Sequence, residues 1–287
     1  MSLIKVASSK EFNFTRGDFE RVRALIYRRA GISLADSKQE MVYSRIARRL
    51  RATGIAAFST YLDELEAGRL GDEWEAFTNA LTTNLTSFFR EAHHFPLLAA
   101  HLQGLHGSAG APITIWCSAS STGEEPYSIA MTACEAFNSL QPPVQIIATD
   151  IDTNVLAVGE AGVYGIERLD KMAPERARRF FLRGKGAQEG MVRVRPELRQ
   201  LVRFQPLNLL ADGWPLQGQF DVIFCRNVMI YFDKATQRKI LARFVPLMKP
   251  QALLFAGHSE NFLYVSDTLK LRGKTVYELD QGRAGAR

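Results

Sequence analysis

PITIWCSASSTGEEP, residues 112–126, decides the fold of this 287-residue chain. It opens on a β-branched run and passes through hydroxyls and a single glycine, Gly123. It then enters a segment of helical period with Ile129, Ala133 and Phe137 on one side. Strand, turn and helix in that order begin a strand–helix–strand unit, and such units build parallel sheets with helices on both faces. The turn lacks the G-x-G-x-x-G pattern that lets a backbone approach a pyrophosphate. In its place Glu124 and Glu125 start the helix. Two carboxylates there complement the helix dipole, and they also repel phosphate.

Outward from this turn the alternation continues. VQIIATD, ending at Asp150, reads as a buried strand and DTNVLAVGEAG as a helix. LVRFQPLN, FDVIFCRN and ALLFAGH read as further strands, with the helix KATQRKILARFVPLMK before the last. Ligands on such sheets bind at the carboxyl ends of the strands. Those ends offer Cys117, Asp150, Asn208, Arg226 and Asn227. NAD, FAD and ATP suit this acidic setting poorly. S-adenosylmethionine, with a sulfonium, an ammonium and no phosphate, fits it. A buried carboxylate at Asp150 can accept from both hydroxyls of a ribose. Asn208 can pair with an adenine edge or simply shape a turn. One segment, PERARRFFLRGKGAQEGMVRVRPELRQ, breaks the alternation with a helix and a period-two run, MVRVR. It is expected to form a small antiparallel excursion, either a decorated crossover or a docking surface.

Residues 15 to 83 read differently. Thr15 caps a helix that stops near Gly31, a second helix runs from about Ser37 to Gly54, a third covers FSTYLDELEAG, and a fourth starts near Asp72. Short glycine-marked turns make this a small helical bundle. Between the halves lies TTNLTSFFREAHHF, residues 82–95. It reads as an interdomain linker with a helix start at Ser87, or as a lid over the ligand. As a lid, Asn84 and Thr86 give polar contacts, Phe88 and Phe89 pack it down, and the Arg90 guanidinium pairs with a ligand carboxylate.

Composition narrows the remaining classes. With 46% hydrophobic and 23% charged residues the chain is ordinary for a globular protein, and no apolar run reaches a membrane span. The start MSLIKVASSK has no apolar core region, so no signal peptide is expected. Cys117, Cys134 and Cys225 have no metal-ligand spacing and read as reduced thiols; no function is assigned to Cys117 or Cys225. His93 and His94 are adjacent, which on a helix points them about 100° apart, so no metal site is expected. The net charge of +6 permits an acidic partner. Against a nucleic-acid methyltransferase, the chain has CRNVMIYF after the fourth strand where amino-methylating enzymes carry Asn/Asp-Pro-Pro-aromatic, and it has no Cys-Pro. A cofactor-sensing module without catalysis is the other alternative.

LTTNLTSFFREAHHFP, SASSTGEEPYSIA, ATDIDTNVL, RGKGAQEGMVRVR, FDVIFCRNVMIYFD and LLFAGHSENF together make the chain resemble the chemotaxis receptor glutamate methyltransferases, the CheR family, over nearly its whole length. The resemblance implies an α/β fold: a Rossmann-like S-adenosylmethionine-dependent methyltransferase domain with a small antiparallel β-subdomain, preceded by an all-helical domain. The expected divisions are a helical domain at 1–83, a linker and lid at 84–108, and a methyltransferase domain at 109–287 with its insertion at about 165–200. The implied cofactor contacts are Asn84, Thr86, Arg90, Glu125, Asp150, Asn208, Leu209, Arg226 and Asn227, with Tyr231 near the transferring methyl. Arg90 and Tyr231 are the expected catalytic residues. The products would be a glutamyl methyl ester on a receptor and S-adenosylhomocysteine. In this family the β-subdomain can grip a receptor's C-terminal peptide tether. On the second helix Val42, Ile46 and Leu50 form an apolar stripe, while Arg45, Arg48 and Arg51 step along another side with Arg49 at the border. That basic face is either solvated or meets an acidic receptor bundle. A cytoplasmic monomer recruited to membrane receptor arrays, with no nucleic-acid partner and no membrane insertion, is the expected setting.

Overall fold

A computed structural model describes residues 10–105, 112–263 and 265–280. The opening MSLIKVASS, residues 106–108 of the expected lid stretch, and residues 281–287 of the expected methyltransferase domain lie outside them. The chain divides into two compact units, Met1–Thr82 and Thr83–Arg287. No helix among the described residues is long and apolar enough to cross a membrane.

The first unit contains α1 (Arg16–Ala30), α2 (Gln39–Thr53), α3 (Phe58–Glu66) and α4 (Glu73–Leu81). Thr15 and Asp18 form a reciprocal capping box at the start of α1, and Gly31 ends it in the left-handed conformation. Gly54 ends α2 in the same way. Phe19, Val22, Ile26, Val42, Ile46, Leu50, Phe58, Leu62, Phe77 and Leu81 close the core, each nearly or wholly buried. Such side chains contribute roughly 1.5–3 kcal/mol each over exposure.

The second unit begins with α5 (His94–Leu105), then β1 (Ile113–Cys117), α6 (Glu124–Ala136), β2 (Val144–Asp150), α7 (Thr153–Ala161) and β3 (Val163–Gly165). It continues with α8 (Pro174–Phe180), β4 (Phe181–Arg183), β5 (Met191–Val194), α9 (Pro196–Arg199), β6 (Val202–Pro206) and β7 (Phe220–Cys225). It ends with α10 (Lys234–Phe244), β8 (Met248–Ala256), β9 (Leu269–Gly273) and β10 (Val276–Leu279). The main sheet runs β6-β2-β1-β7-β8-β10-β9. Its β6-to-β8 part is parallel, and β10 and β9 join antiparallel. A second sheet, β3-β5-β4, is antiparallel throughout. The sequence reading anticipates the five parallel strands, α6, α7, α10 and the β5 strand. It does not contain the β9–β10 hairpin, and its linker alternative starts a helix at Ser87, ahead of the His94 at which α5 begins.

Strand alternation sorts the two faces. Ile115, Cys117, Val222, Phe224 and Phe255 join a core with α5, α6 and the small sheet. Trp116, Ile223, Cys225, Leu254 and Ala256 join another with α10 and Leu209. The chain passes from β6, at one edge, to β7 on the far side of β1. The order therefore reverses between β1 and β7, where Cys117 pairs with Phe224. That reversal opens a crevice beyond the strand ends.

Candidate functional site

Loops leaving the carboxyl ends of the strands line the crevice. After β1 the chain turns through Gly123, held at φ 97°, into α6. A Cβ at that glycine would sit 2.8 Å from both the Gly159 Cα and the Tyr164 hydroxyl, so only glycine fits. The two acids next in the chain diverge. Glu124 is fully buried, accepts from the Thr122 hydroxyl at 2.6 Å, and lies 3.5 Å from the Arg168 guanidinium. Glu125 turns to the crevice, where its Oε1 accepts from the Cys117 thiol at 3.2 Å and its Oε2 from Arg226 Nη1 at 2.8 Å. Burial pushes the Glu125 carboxyl up against the pull of Arg226, and it pushes the Cys117 thiol up as well.

Asp150, at the end of β2, accepts from Ser121 N–H at 2.8 Å and from Asp152 N–H at 3.0 Å. Burial raises its pKa to about 6, outweighing those two bonds. Asp152 in turn caps α7 and accepts from Asn84 Nδ2 at 2.8 Å, while Ser121 Oγ donates to the Asn84 carbonyl at 3.1 Å. Asn84 is thus fastened beside Asp150 through two neighbours. Asn208, after β6, folds its Oδ1 onto Leu210 N–H at 2.9 Å, and Leu209 is buried in the α10-side core.

The segment from Asn84 to Glu91 is extended and then turned, with Phe89 and Glu91 both at positive φ. Phe88 wedges edge-on between Tyr164 and Phe181, at 5.2 and 5.4 Å between centroids. Phe89 N–H donates to Ser128 Oγ at 2.9 Å, and Arg176 lies 4.2 Å over the Phe89 ring. The Thr86 carbonyl faces Arg168 Nη1 at 3.5 Å. Arg90 donates from Nη1 to its own segment, at Leu85 O, 2.8 Å away.

Glu91 closes the segment against two strand ends. Its Oε1 accepts from Asn227 Nδ2 at 3.2 Å and from His258 at its N–H (3.2 Å) and Nδ1 (3.0 Å). Its Oε2 lies 3.4 Å from Arg226 Nη2. Burial alone would raise Glu91, but the His258 hydrogen bond and the Arg226 charge outweigh it and hold the pKa down at about 2. Arg226, buried after β7, therefore sits between Glu125 and Glu91 and also donates to the Arg90 carbonyl. Its Nε–H is buried and has no hydrogen-bond partner among the described residues. That donor, and the acceptor capacity left on Asp150, are what a ligand with a carboxylate and hydroxyls would use.

Asn227 takes φ 59°, and Tyr231 ends the short 3-10 turn Met229–Tyr231, half-buried. The buried Glu260 carboxylate binds this turn from the loop after β8. Its Oε1 accepts from Val228 and Met229 N–H at 2.9 and 2.8 Å, and its Oε2 accepts from Asn227 and Gly257 N–H at 2.8 and 2.5 Å. Sequence reasoning missed Glu91, Asp152, His258 and Glu260. Asp152 carried a signal, an acid directly ahead of a helical period.

The adjacent histidines do not diverge as expected. His93 precedes α5, so the helical 100° step does not apply, and the two rings lie 4.2 Å apart. Ligand atoms of Glu91, His93 and His94 fall within 4.8 Å of one another. His94 Nε2 is bonded to Lys274 O at 2.9 Å, and burial, aided by Arg226, lowers its pKa to about 4.

Within the helical unit the four arginines of α2 are not equivalent. Arg45 donates to the Ala80 carbonyl at 3.2 Å and to that of Thr82, so it caps α4. Arg49 makes a two-pronged pair with buried Glu73 at 2.8 and 2.7 Å, and Arg51 pairs with Glu11. Arg48 is exposed, with no ion pair among the described residues.

Comparison with known proteins falls on the same division. The family model described as "CheR methyltransferase, SAM binding domain" matches residues 84–277, and "CheR methyltransferase, all-alpha domain" matches residues 17–82. The chain is 58% identical over 261 residues to the chemotaxis protein methyltransferase of Klebsiella aerogenes, covering 91% of this chain and 89% of that protein. It is 54% identical over 263 residues to that of Escherichia coli K12, covering 92% and 91%. It is 53% identical over 272 residues to chemotaxis protein methyltransferase 2 of Pseudomonas aeruginosa, covering 95% and 96%. The chain is therefore an S-adenosylmethionine-dependent methyltransferase and belongs to the CheR family.

Proposed function

We propose that this enzyme methylates glutamate side chains on the cytoplasmic domains of chemoreceptors, giving γ-glutamyl methyl esters. The observation that carries the reading is the charge of the crevice. Glu125 and Asp150 line it, and Arg226 is held between Glu125 and Glu91 with a buried N–H to spare. S-adenosylmethionine supplies a methyl group on a positively charged sulfur. Asp150 accepts from the ribose hydroxyls, Asn208 and Leu209 border the adenine, and Arg226, Asn227 and Glu125 hold the amino-acid end. Asn84, Thr86 and Arg90 form a lid, with Arg90 pairing to the ligand carboxylate and Tyr231 beside the transferring methyl. The lid, the methyltransferase domain from about residue 109 and the helical domain to residue 83 act as three working parts.

The acceptor needs no general base, because a glutamate carboxylate with a pKa near 4.3 is already ionised at neutral pH. Positioning supplies most of the catalysis, at best roughly 7 to 11 kcal/mol. Receptor contact is proposed for the basic face of α2, where Arg48 offers its charge outward while Arg45, Arg49 and Arg51 shape the helix surface. The small β3-β5-β4 sheet is proposed to bind a receptor's C-terminal tether, recruiting a monomeric enzyme to membrane arrays.

Incubation with methyl-labelled cofactor and receptor-enriched membranes tests the reading. Label should enter receptor and leave as methanol under mild base. Base-stable label, or label in nucleic acid, would overturn it.

A further inference from the structure

Glu260 has no role in the proposed chemistry, yet it is among the most heavily bonded groups at the strand ends. It is 4% exposed, and no arginine, lysine or histidine among the described residues pairs with it. Its two oxygens instead receive four backbone N–H groups. Three are consecutive, Asn227, Val228 and Met229, and the fourth is Gly257. A buried carboxylate without a cation costs several kcal/mol unless its acceptor sites are filled, and here backbone N–H groups fill them, three of the four from one turn. A local Ser or Asp would cap such a turn at lower cost. Glu260 reaches the turn from the loop after β8, the strand paired beside β7, so it ties the end of β8 to the end of β7. The tie also fixes Asn227 in the left-handed region, which costs a non-glycine residue free energy unless its surroundings hold it there. The fit is close on the other side as well. A Cβ on Gly257 would meet Asn227 Nδ2, and would lie 2.8 Å from Glu260 Oε2 and 2.9 Å from Asn227 N.

We propose that Glu260 is a positioning residue of the methyl-transfer site: its carboxylate sets the turn from Arg226 to Tyr231 and so aims Asn227 and Tyr231. The proposal rests on the assignment of those two residues to the transfer site made under the proposed function. Glu260→Gln offers one acceptor oxygen and turns an NH2 toward N–H donors, so the turn should loosen while the shape of the side chain is kept. Glu260→Asp keeps both oxygens on a shorter arm. Gly257→Ala crowds both Asn227 and the carboxylate oxygen, and so disturbs the same tie while leaving Glu260 itself in place.

The test uses the full chain and four readouts: thermal midpoint, S-adenosylhomocysteine affinity by calorimetry, kcat and KM on receptor membranes, and amide exchange at residues 227–229. In Glu260→Gln we expect kcat to fall at least about tenfold further than product affinity does, equivalent to one misdirected hydrogen bond. Exchange at 227–229 should quicken, and Glu260→Asp should recover part of kcat. Wild-type kcat together with unchanged exchange would overturn the proposal. So would a parallel fall of midpoint, affinity and kcat with no recovery in the Asp variant, which marks a purely structural role. If Glu260→Gln does not fold, Gly257→Ala decides: lost kcat at retained midpoint supports the proposal and normal kcat sinks it. If the wild type itself methylates no receptor glutamate, the proposed function fails separately. Exchange at 227–229 still reads the tie, quickened supporting it and unchanged overturning it.

Discussion

At the scale of single residues the site is a set of buried charges whose balance is set by neighbours. Asp150 has a pKa near 6 because burial disfavours its ionised form more than two N–H bonds favour it. Its folded pKa lies above the ordinary value, so its contribution to stability is full below about pH 4 and is lost as pH rises through about 6. Ligand binding should run the opposite way, since the ionised carboxylate is the better acceptor for a diol. Calorimetry with S-adenosylhomocysteine should show affinity about tenfold weaker at pH 5 than at pH 7, following the ionised fraction of a group titrating near 6. Asp150→Asn should flatten that profile and bind weakly throughout. Arg226 is the converse case, a buried cation shared by Glu125 and Glu91. Arg226→Ala leaves two carboxylates facing each other in the crevice. Removing one partner of such a buried set costs about 3–5 kcal/mol, so the melting midpoint should drop by several degrees in differential scanning calorimetry.

At the scale of elements, the segment from Asn84 to Glu91 is held by packing rather than by secondary structure. Phe88 sits between Tyr164 and Phe181, and Asn84 is tied to Asp152. Phe88→Ala opens a cavity worth about 3–5 kcal/mol at this anchor, a large share of what fixes so short a segment. Trypsin should then cut after Arg90 at least about tenfold faster than in the wild type, with the rest of the unit intact on a gel, because local opening of about 1.4 kcal/mol already gives that factor. The same scale shows how much was legible. The capping box at Thr15 and the buried runs ending at Asp150 and Arg226 are local patterns, and they announce α1, β2 and β7 directly. The turn after β1 announces Glu124 and Glu125 as a pair, because a helix start following a strand end faces the ligand side of any such sheet; which of the two meets Arg226 is settled by packing rather than by a local pattern. Glu91 and Glu260 announce nothing. Their partners lie 136 and 33 residues away in sequence, and a lone acid in a loop has no period to betray it. The β9–β10 hairpin is hidden for a related reason. Its strands are short, β9 is exposed along Lys270, Leu271 and Arg272, and the edge charges that keep it from pairing further also erase the alternating signal.

At the scale of the whole molecule the net charge of +6 has to be apportioned before it can be assigned to a partner. Much of the basic surface of the helical unit is already engaged within that unit: Arg49 by Glu73, Arg51 by Glu11, and Arg21 by Asp63 and Glu66. Arg45 is taken up by the carbonyls that end α4, so reversing its charge would unsettle the fold and confuse any binding assay. Arg48 is the residue of the α2 face at which charge and fold separate. Arg48→Glu should leave the melting midpoint and S-adenosylhomocysteine affinity at wild-type values, since surface substitutions of this kind stay within about 0.5 kcal/mol. It should raise KM for receptor membranes several-fold at low salt. The second axis of the experiment is ionic strength. Long-range attraction between a basic face and an acidic receptor is screened over about 10 Å at 0.1 M salt. Wild-type KM should therefore climb between low and moderate salt, while the Arg48→Glu variant, having lost the attraction, should change less. A variant whose KM keeps the wild-type value and the wild-type salt slope would remove α2 from the docking surface and leave the small β-sheet as the place to look for the receptor.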